Sequence, residues 1–170
     1  ASYLSVWGYE NSYARRAAAD LIEVGGAERY ARVLFTTSGG SANDMAMKLV
    51  RQVQVLRGEP KRRAVLGLRD GYHGLTYGAF ALTDAQLGHE MYGVDRRLVG
   101  HVPANDVDAL ATMLERAGDR IAAVFVEPVI GPGPVPPGPG FLATVLSHRR
   151  GAGSPLVATR GPPGVGGLAE

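Results

Sequence analysis

The chain has no cysteine, so neither a disulfide framework nor a thiolate metal site can hold it together. Lysine is almost as scarce: the 170 residues contain two, Lys48 and Lys61, against sixteen arginines. No apolar run approaches the roughly 20 residues of a membrane-spanning helix, and no secretory or transit signature stands out, so a cytoplasmic protein is expected. The basic residues Arg15, Arg16, Arg29, Arg32, Arg51 and Arg57 are scattered and only Lys61-Arg62-Arg63 clusters, so the net charge of +2 gives no nucleic-acid surface. No Walker-type lysine follows a Gly-rich turn, and neither Gly131-Pro132-Gly133 nor Gly164-Val165-Gly166 matches a dinucleotide fingerprint. His89, His101 and His148 lack ligand spacing, so no metal site is expected.

What is present is a chain 45% hydrophobic, enough for one ordinary core. Asn11-Ser12 predicts the cap of a helix with Ala14, Ala17, Ala18 and Leu21 on one face, ended by Gly25-Gly26. Val33-Leu34-Phe35-Thr36 predicts a strand. After it, Ala42, Met45, Ala46, Leu49, Val53 and Leu56 recur at helical spacing, with Lys48, Arg51 and Gln52 turned outward. Further strands are expected at Ala64 to Leu68, Leu98 to Val102 and Ile121 to Val126. Between them come helices at Ala79 to Leu82 and after Asn105 or Asp106, the second with Val107, Leu110 and Leu114 inward. A Gly/Pro loop from Gly131 to Gly140 precedes a helix from Phe141. Strands alternating with helices predict an α/β fold with a mainly parallel sheet and helices on both faces, whose ligands gather at the carboxyl ends of the strands.

Three places carry chemistry. Ser38-Gly39-Gly40-Ser41-Ala42-Asn43-Asp44 opens the second helix, and a Gly-rich turn there leaves N–H groups free at the positive end of the helix dipole, which suits a phosphate. Tight packing alone also produces such turns. Asp70-Gly71-Tyr72-His73-Gly74 sets an aromatic between flexible positions, which an ordinary half-buried tyrosine does not need. Glu127 ends the most apolar strand, where a carboxylate is costly to bury without a partner and otherwise lies solvated.

The three motifs, in this order and with Val124-Phe125-Val126-Glu127-Pro128 as the third, resemble the class III aminotransferases, the ornithine and 4-aminobutyrate transaminase group of fold-type I pyridoxal phosphate (PLP) enzymes. The resemblance runs from about Ser2 to Ala158. It implies the PLP-transferase large domain, with residues 1–170 as its central part and the family's N-terminal segment, lysine region and small C-terminal domain absent. It implies a phosphate held by the N–H groups of Gly39 and Gly40, with Ser41 where the family has Glu. It also implies a cofactor ring on Tyr72, with His73 and Glu127 beside it. The expected partners are an amino donor, an oxo acceptor and a second copy of the parent protein, with the aromatic run Tyr3 to Tyr9 a candidate for that contact.

Two of the family's requirements are not met. Thr159-Arg160 stands where the resemblance expects the Asp-Glu that pairs the pyridine nitrogen, and neither Lys48 nor Lys61 sits where the Schiff-base lysine belongs, so no catalytic residue is identified. The residues Thr159 to Pro163 fit either divergence or two compensating single-base shifts in a GC-rich gene. Amino-group transfer is then the activity of the parent protein, and the chain itself is expected to be inactive. An aminomutase or decarboxylase on the same scaffold shares all three motifs, and a lysine-less noncatalytic subunit is the reading from outside enzymology.

Overall fold

A computed structural model describes residues 11–127, 138–152 and 155–159. The chain divides into two units, Ala1–Thr36 and Thr37–Glu170. In the first, α1 (Ser12–Gly25) starts where Asn11 Oδ1 accepts the N–H groups of Tyr13 and Ala14, and stops where Gly26 takes a φ of 97°. Its half-buried stripe is Ala14, Ala18 and Ile22, so Ala17 and Leu21 lie one position round from the expected face. The strand expected at 33–36 does not form. Leu34 and Phe35 are more than half exposed, and no strand pairs with this segment among the described residues. A β-prone tetrapeptide becomes a strand only where a neighbour fills its hydrogen bonds.

In the second unit the elements run α2 (Gly39–Leu56), β1 (Ala64–Leu68), α3 (Tyr77–Leu82), β2 (Val99–Val102), α4 (Val107–Ala117), β3 (Ile121–Val126), α5 (Pro139–Ala152) and β4 (Leu156–Ala158). The four strands form a parallel sheet in the order β2-β1-β3-β4. Leu66, Leu68, Ile121, Val124 and Val126 pack with Leu110, Leu114, Phe141 and Val145, so α4 and α5 cover one face. Val65, Ala122, Ala123 and Phe125 pack with Met47, Val50 and Leu82, so α2 and α3 cover the other. The register between β1 and β3 shifts at Ala64/Val65, which lets Ala122 and Ala123 share a face before normal alternation resumes.

The face of α2 differs from the expected one. Met47, Val50 and Gln54 are buried, whereas Leu49, Val55 and Leu56 are exposed. The inward stripe includes Gln54, whose Nε2 donates to the Ala122 carbonyl at 3.0 Å, so a polar residue marks the buried side and apolar periodicity alone misreads it. Gly67 of β1 is small for a reason: a Cβ there would lie 2.9 Å from Leu82 Cδ1, so α3 seats directly on the strand.

Sheet order locates the functional end. From β1 the chain crosses by way of α3 to β2 on one side, then returns by way of α4 on the opposite face to β3 on the other. The carboxyl ends of β1 and β3 therefore flank a topological switch point, where such sheets open a crevice. The turn 70–74 follows β1, and Glu127 follows β3.

Candidate active site

At the end of β1 the backbone turns sharply. Asp70 takes a φ of 59°, and Gly71 N–H donates to the Leu68 carbonyl at 3.2 Å. This throws Tyr72 outward, over half exposed, and folds His73 inward until 3% of its surface remains accessible. His73 packs edge-on against Phe125, with ring centroids 6.4 Å apart. Because residues alternate along β3, Glu127 points to the same face as Phe125 and meets that imidazole, with Oε1 3.6 Å from Nε2. Burial, with a smaller contribution from His101, lowers the His73 pKa to about 4. The ring is neutral at pH 7, and neither of its nitrogens has a hydrogen-bond partner among the described residues.

The Gly-rich turn reaches this place by tertiary contact and not as a strand end. Ser38 caps α2 by accepting Ser41 N–H at 3.1 Å, and its hydroxyl meets that of Ser41, which also meets Thr37. The N–H groups of Gly39 and Gly40 remain without an acceptor among the described residues. A Cβ at Gly39 would meet nothing within 4 Å, so the turn is open on that side. Gly40 and Gly74 touch: Gly74 has a φ of 122°, and a Cβ on it would stand 2.5 Å from Gly40 Cα. One turn down α2, Asn43 Nδ2 donates to the His73 carbonyl at 2.7 Å, and Asp44 Oδ1 accepts Ala79 N–H from the first turn of α3 at 2.7 Å.

The structure thus joins Gly40 to the turn that carries Tyr72 and His73, and His73 to Glu127. Ser41 links the hydroxyls of Thr37 and Ser38 at the cap. Lys48 is exposed on α2 and Lys61 on the loop after it. Thr159 closes β4 by donating its N–H to the Val126 carbonyl at 2.9 Å, next to the strand end that carries Glu127. Residues 1–10, 128–137 and 160–170, which hold the expected Tyr3 to Tyr9 contact, most of the Gly/Pro loop and the altered tail, lie outside the described residues.

Sequence reading missed four residues that hold the site: Asn43, Asp44, Thr83 and Asp84. Asn43 and Asp44 recur with Met47, Val50 and Gln54 at helical spacing, which is the signal that could have found them. Asn105, read as a cap, takes a φ of 63° and accepts Gly138 N–H, while Asp106 alone caps α4. His89 and His101 bond the backbone carbonyls at the end of α3, and among the described residues no group of three His, Asp or Glu could hold a metal ion. Among those residues, no helix is long and apolar enough to cross a membrane. A cavity of about 380 Å³ lined by Leu75, Tyr77, Phe80, Leu87, Tyr92 and Val94 includes none of the expected site residues.

Residues 1–157 match the family described as aminotransferase class-III. The chain belongs to the class III aminotransferases. Its curated relatives include the acetylornithine aminotransferase of Mycobacterium bovis, 38% identical over 138 residues that make up 79% of this chain and 32% of that protein. That of Xylella fastidiosa is 37% identical over 142 residues, 81% of this chain and 33% of the relative. This class III chain therefore spans about a third of the length of the curated relatives it matches. Among solved structures, a transaminase from the marine bacterium Virgibacillus aligns with a TM-score of 0.83 and 28% identity over 92% of this chain and 38% of that one. A PLP-bound amine transaminase from an uncultivated Pseudomonas species gives 0.83 and 26% over 92% and 40%. The sheet and its two helical layers are those of the fold-type I PLP-transferase large domain.

Proposed function

We propose that this chain supplies the phosphate- and ring-binding side of a PLP site. On this reading the whole protein moves an amino group from an amine or amino acid to an oxo acid or aldehyde. The observation that carries the reading is the meeting of three sequence-distant motifs at one switch point, with two unengaged amides at a helix start, a bare aromatic, and a buried neutral imidazole facing a carboxyl group. Gly39 and Gly40 N–H would hold the phosphate, with Ser41 locking the cap that aims them. Tyr72 would lie against the pyridine ring, where an aromatic face gains both apolar contact and quadrupole attraction. His73 and Glu127 would border the ring. PLP acts as the electron sink for chemistry at the carbon bearing the amino group.

A lysine-less, noncatalytic subunit is a second reading, favoured by Thr159 at the end of β4 and by the exposed Lys48 and Lys61. An aminomutase or decarboxylase remains the alternative on the same scaffold. We further propose that the whole protein is cytoplasmic and a homodimer, the second copy being supported by exposed apolar side chains such as Leu49, Val55 and Leu56 on α2.

The deciding experiment is PLP titration of the protein as its gene encodes it, beside an assay of amino-group exchange with 2-oxoglutarate or pyruvate. Tyr72→Ala should weaken PLP binding by about 1–2 kcal/mol, and Glu127→Gln should lower turnover. Unchanged affinity in Tyr72→Ala removes the cofactor ring from this position, and PLP binding without exchange overturns amino-group transfer in favour of an aminomutase, a decarboxylase or the noncatalytic subunit.

A further inference from the structure

We infer that Thr83, the residue that ends α3, is a positioning residue for cofactor binding: its hydroxyl fixes the backbone of the turn that presents Tyr72 and His73. The inference rests on the PLP reading above. Thr83 is fully buried, accepts His73 N–H at 2.8 Å, and shares its own proton between the carbonyls of Gly74 and Ala79, both at 3.0 Å. A threonine that merely finishes a helix is satisfied by the carbonyl four residues back, here Ala79. The bonds to His73 and Gly74 go beyond that need and reach a turn nine and ten residues upstream.

Asp84 extends the grip. Its N–H donates to the Gly71 carbonyl at 2.9 Å, its Oδ2 accepts Asp70 N–H at 3.3 Å, and its Oδ1 takes Arg96 at 2.8 Å. His89 Nε2 anchors the Thr83 carbonyl at 2.8 Å. The dipeptide thus holds Asp70 N–H and the Gly71 carbonyl ahead of Tyr72, and His73 N–H and the Gly74 carbonyl behind it. Tyr72 sits between these fixed peptide groups, so the backbone around it sets where its ring projects. Without the Thr83 hydroxyl, His73 N–H and the Gly74 carbonyl lose a buried partner and the turn is free to relax.

The test is equilibrium titration of the cofactor-free natural protein with PLP, read by absorbance and induced circular dichroism, for Thr83→Val, Thr83→Ser and Tyr72→Ala. Thr83→Val keeps the shape without the hydroxyl and should weaken PLP about tenfold and reduce the induced signal. Thr83→Ser, which keeps the hydroxyl, should stay within threefold of the parent protein. If Thr83→Val does not fold, Thr83→Cys, of similar size and a weak donor, is read by the same criteria. Tyr72→Ala weakening PLP while Thr83→Val stays within twofold overturns the positioning role, as does an equal loss in Thr83→Val and Thr83→Ser. Tyr72→Ala leaving PLP affinity unchanged removes the cofactor ring from Tyr72, and the positioning role with it; no PLP binding by the parent protein overturns the PLP reading itself.

Discussion

Helices α4 and α2 lie on opposite faces of one sheet and teach different lessons. α4 turns Leu110 and Leu114 inward, carries a capping aspartate at Asp106 and keeps Asp108 near its start and Arg116 near its end, so its orientation follows from its own residues. α2 turns Asn43, Asp44, Met47, Val50 and Gln54 inward and leaves Leu49 and Leu56 exposed. Its polar side chains bond the His73 carbonyl, the start of α3 and the Ala122 carbonyl. α4 supports the fold. α2 supports the fold and builds the site with the same face, and that double duty hides its orientation from apolar periodicity.

The sharpest way to break this contrast is Leu110→Ala. It should lower unfolding free energy by about 3 kcal/mol, as for a large-to-small change in a closed core, while PLP affinity of the folded protein is retained. A matching loss of affinity at saturating stability would make α4 part of the site.

The α2 side should show instead in acid. The His73 pKa lies at about 4 in the folded chain, below the value of about 6.5 for an unfolded imidazole. The unfolded state therefore takes up a proton first as pH falls. Stability from this group is full above about pH 6.5 and disappears as pH falls to about 4, a change of about 3 kcal/mol. Urea unfolding at stepped pH should show that slope, and His73→Gln should flatten it; an unaltered slope assigns the acid sensitivity to another group.

Asn43→Ala tests the polar stripe directly. Losing the bond to the His73 carbonyl should cost about 1 kcal/mol of stability and weaken PLP severalfold, a pairing of effects that Leu110→Ala should not show. The smallest effect belongs to Leu56→Gln on the exposed side of α2, which should stay within about 0.5 kcal/mol in thermal melts. A larger, concentration-dependent loss would instead assign that side to a subunit contact and sharpen the contrast with α4.

Much of the fold was legible. β1, β3 and the caps of α1 and α4 follow from apolar runs and from Asn11 and Asp106, because these are local preferences acting within a few residues. The strand expected at 33–36 does not form, since pairing depends on a neighbour that no local pattern supplies. In the site, Gly39, Gly40, Tyr72, His73 and Glu127 were named from motifs. The turn carrying Gly39 and Gly40 was expected at a strand end, yet it reaches the site through the Gly40–Gly74 contact and Asn43.

By itself the sequence determined an α/β alternation, the order of three motifs and the family to which they point, because helix caps, glycine turns and apolar runs act on short stretches of chain. Only the tertiary structure decided which face of α2 is buried, that His73 is neutral and set against Glu127, and that Thr83 and Asp84 hold the turn between Asp70 and Gly74. Each of those facts is a hydrogen bond or a burial between residues far apart in sequence, and its energy exists only once the sheet has brought them together.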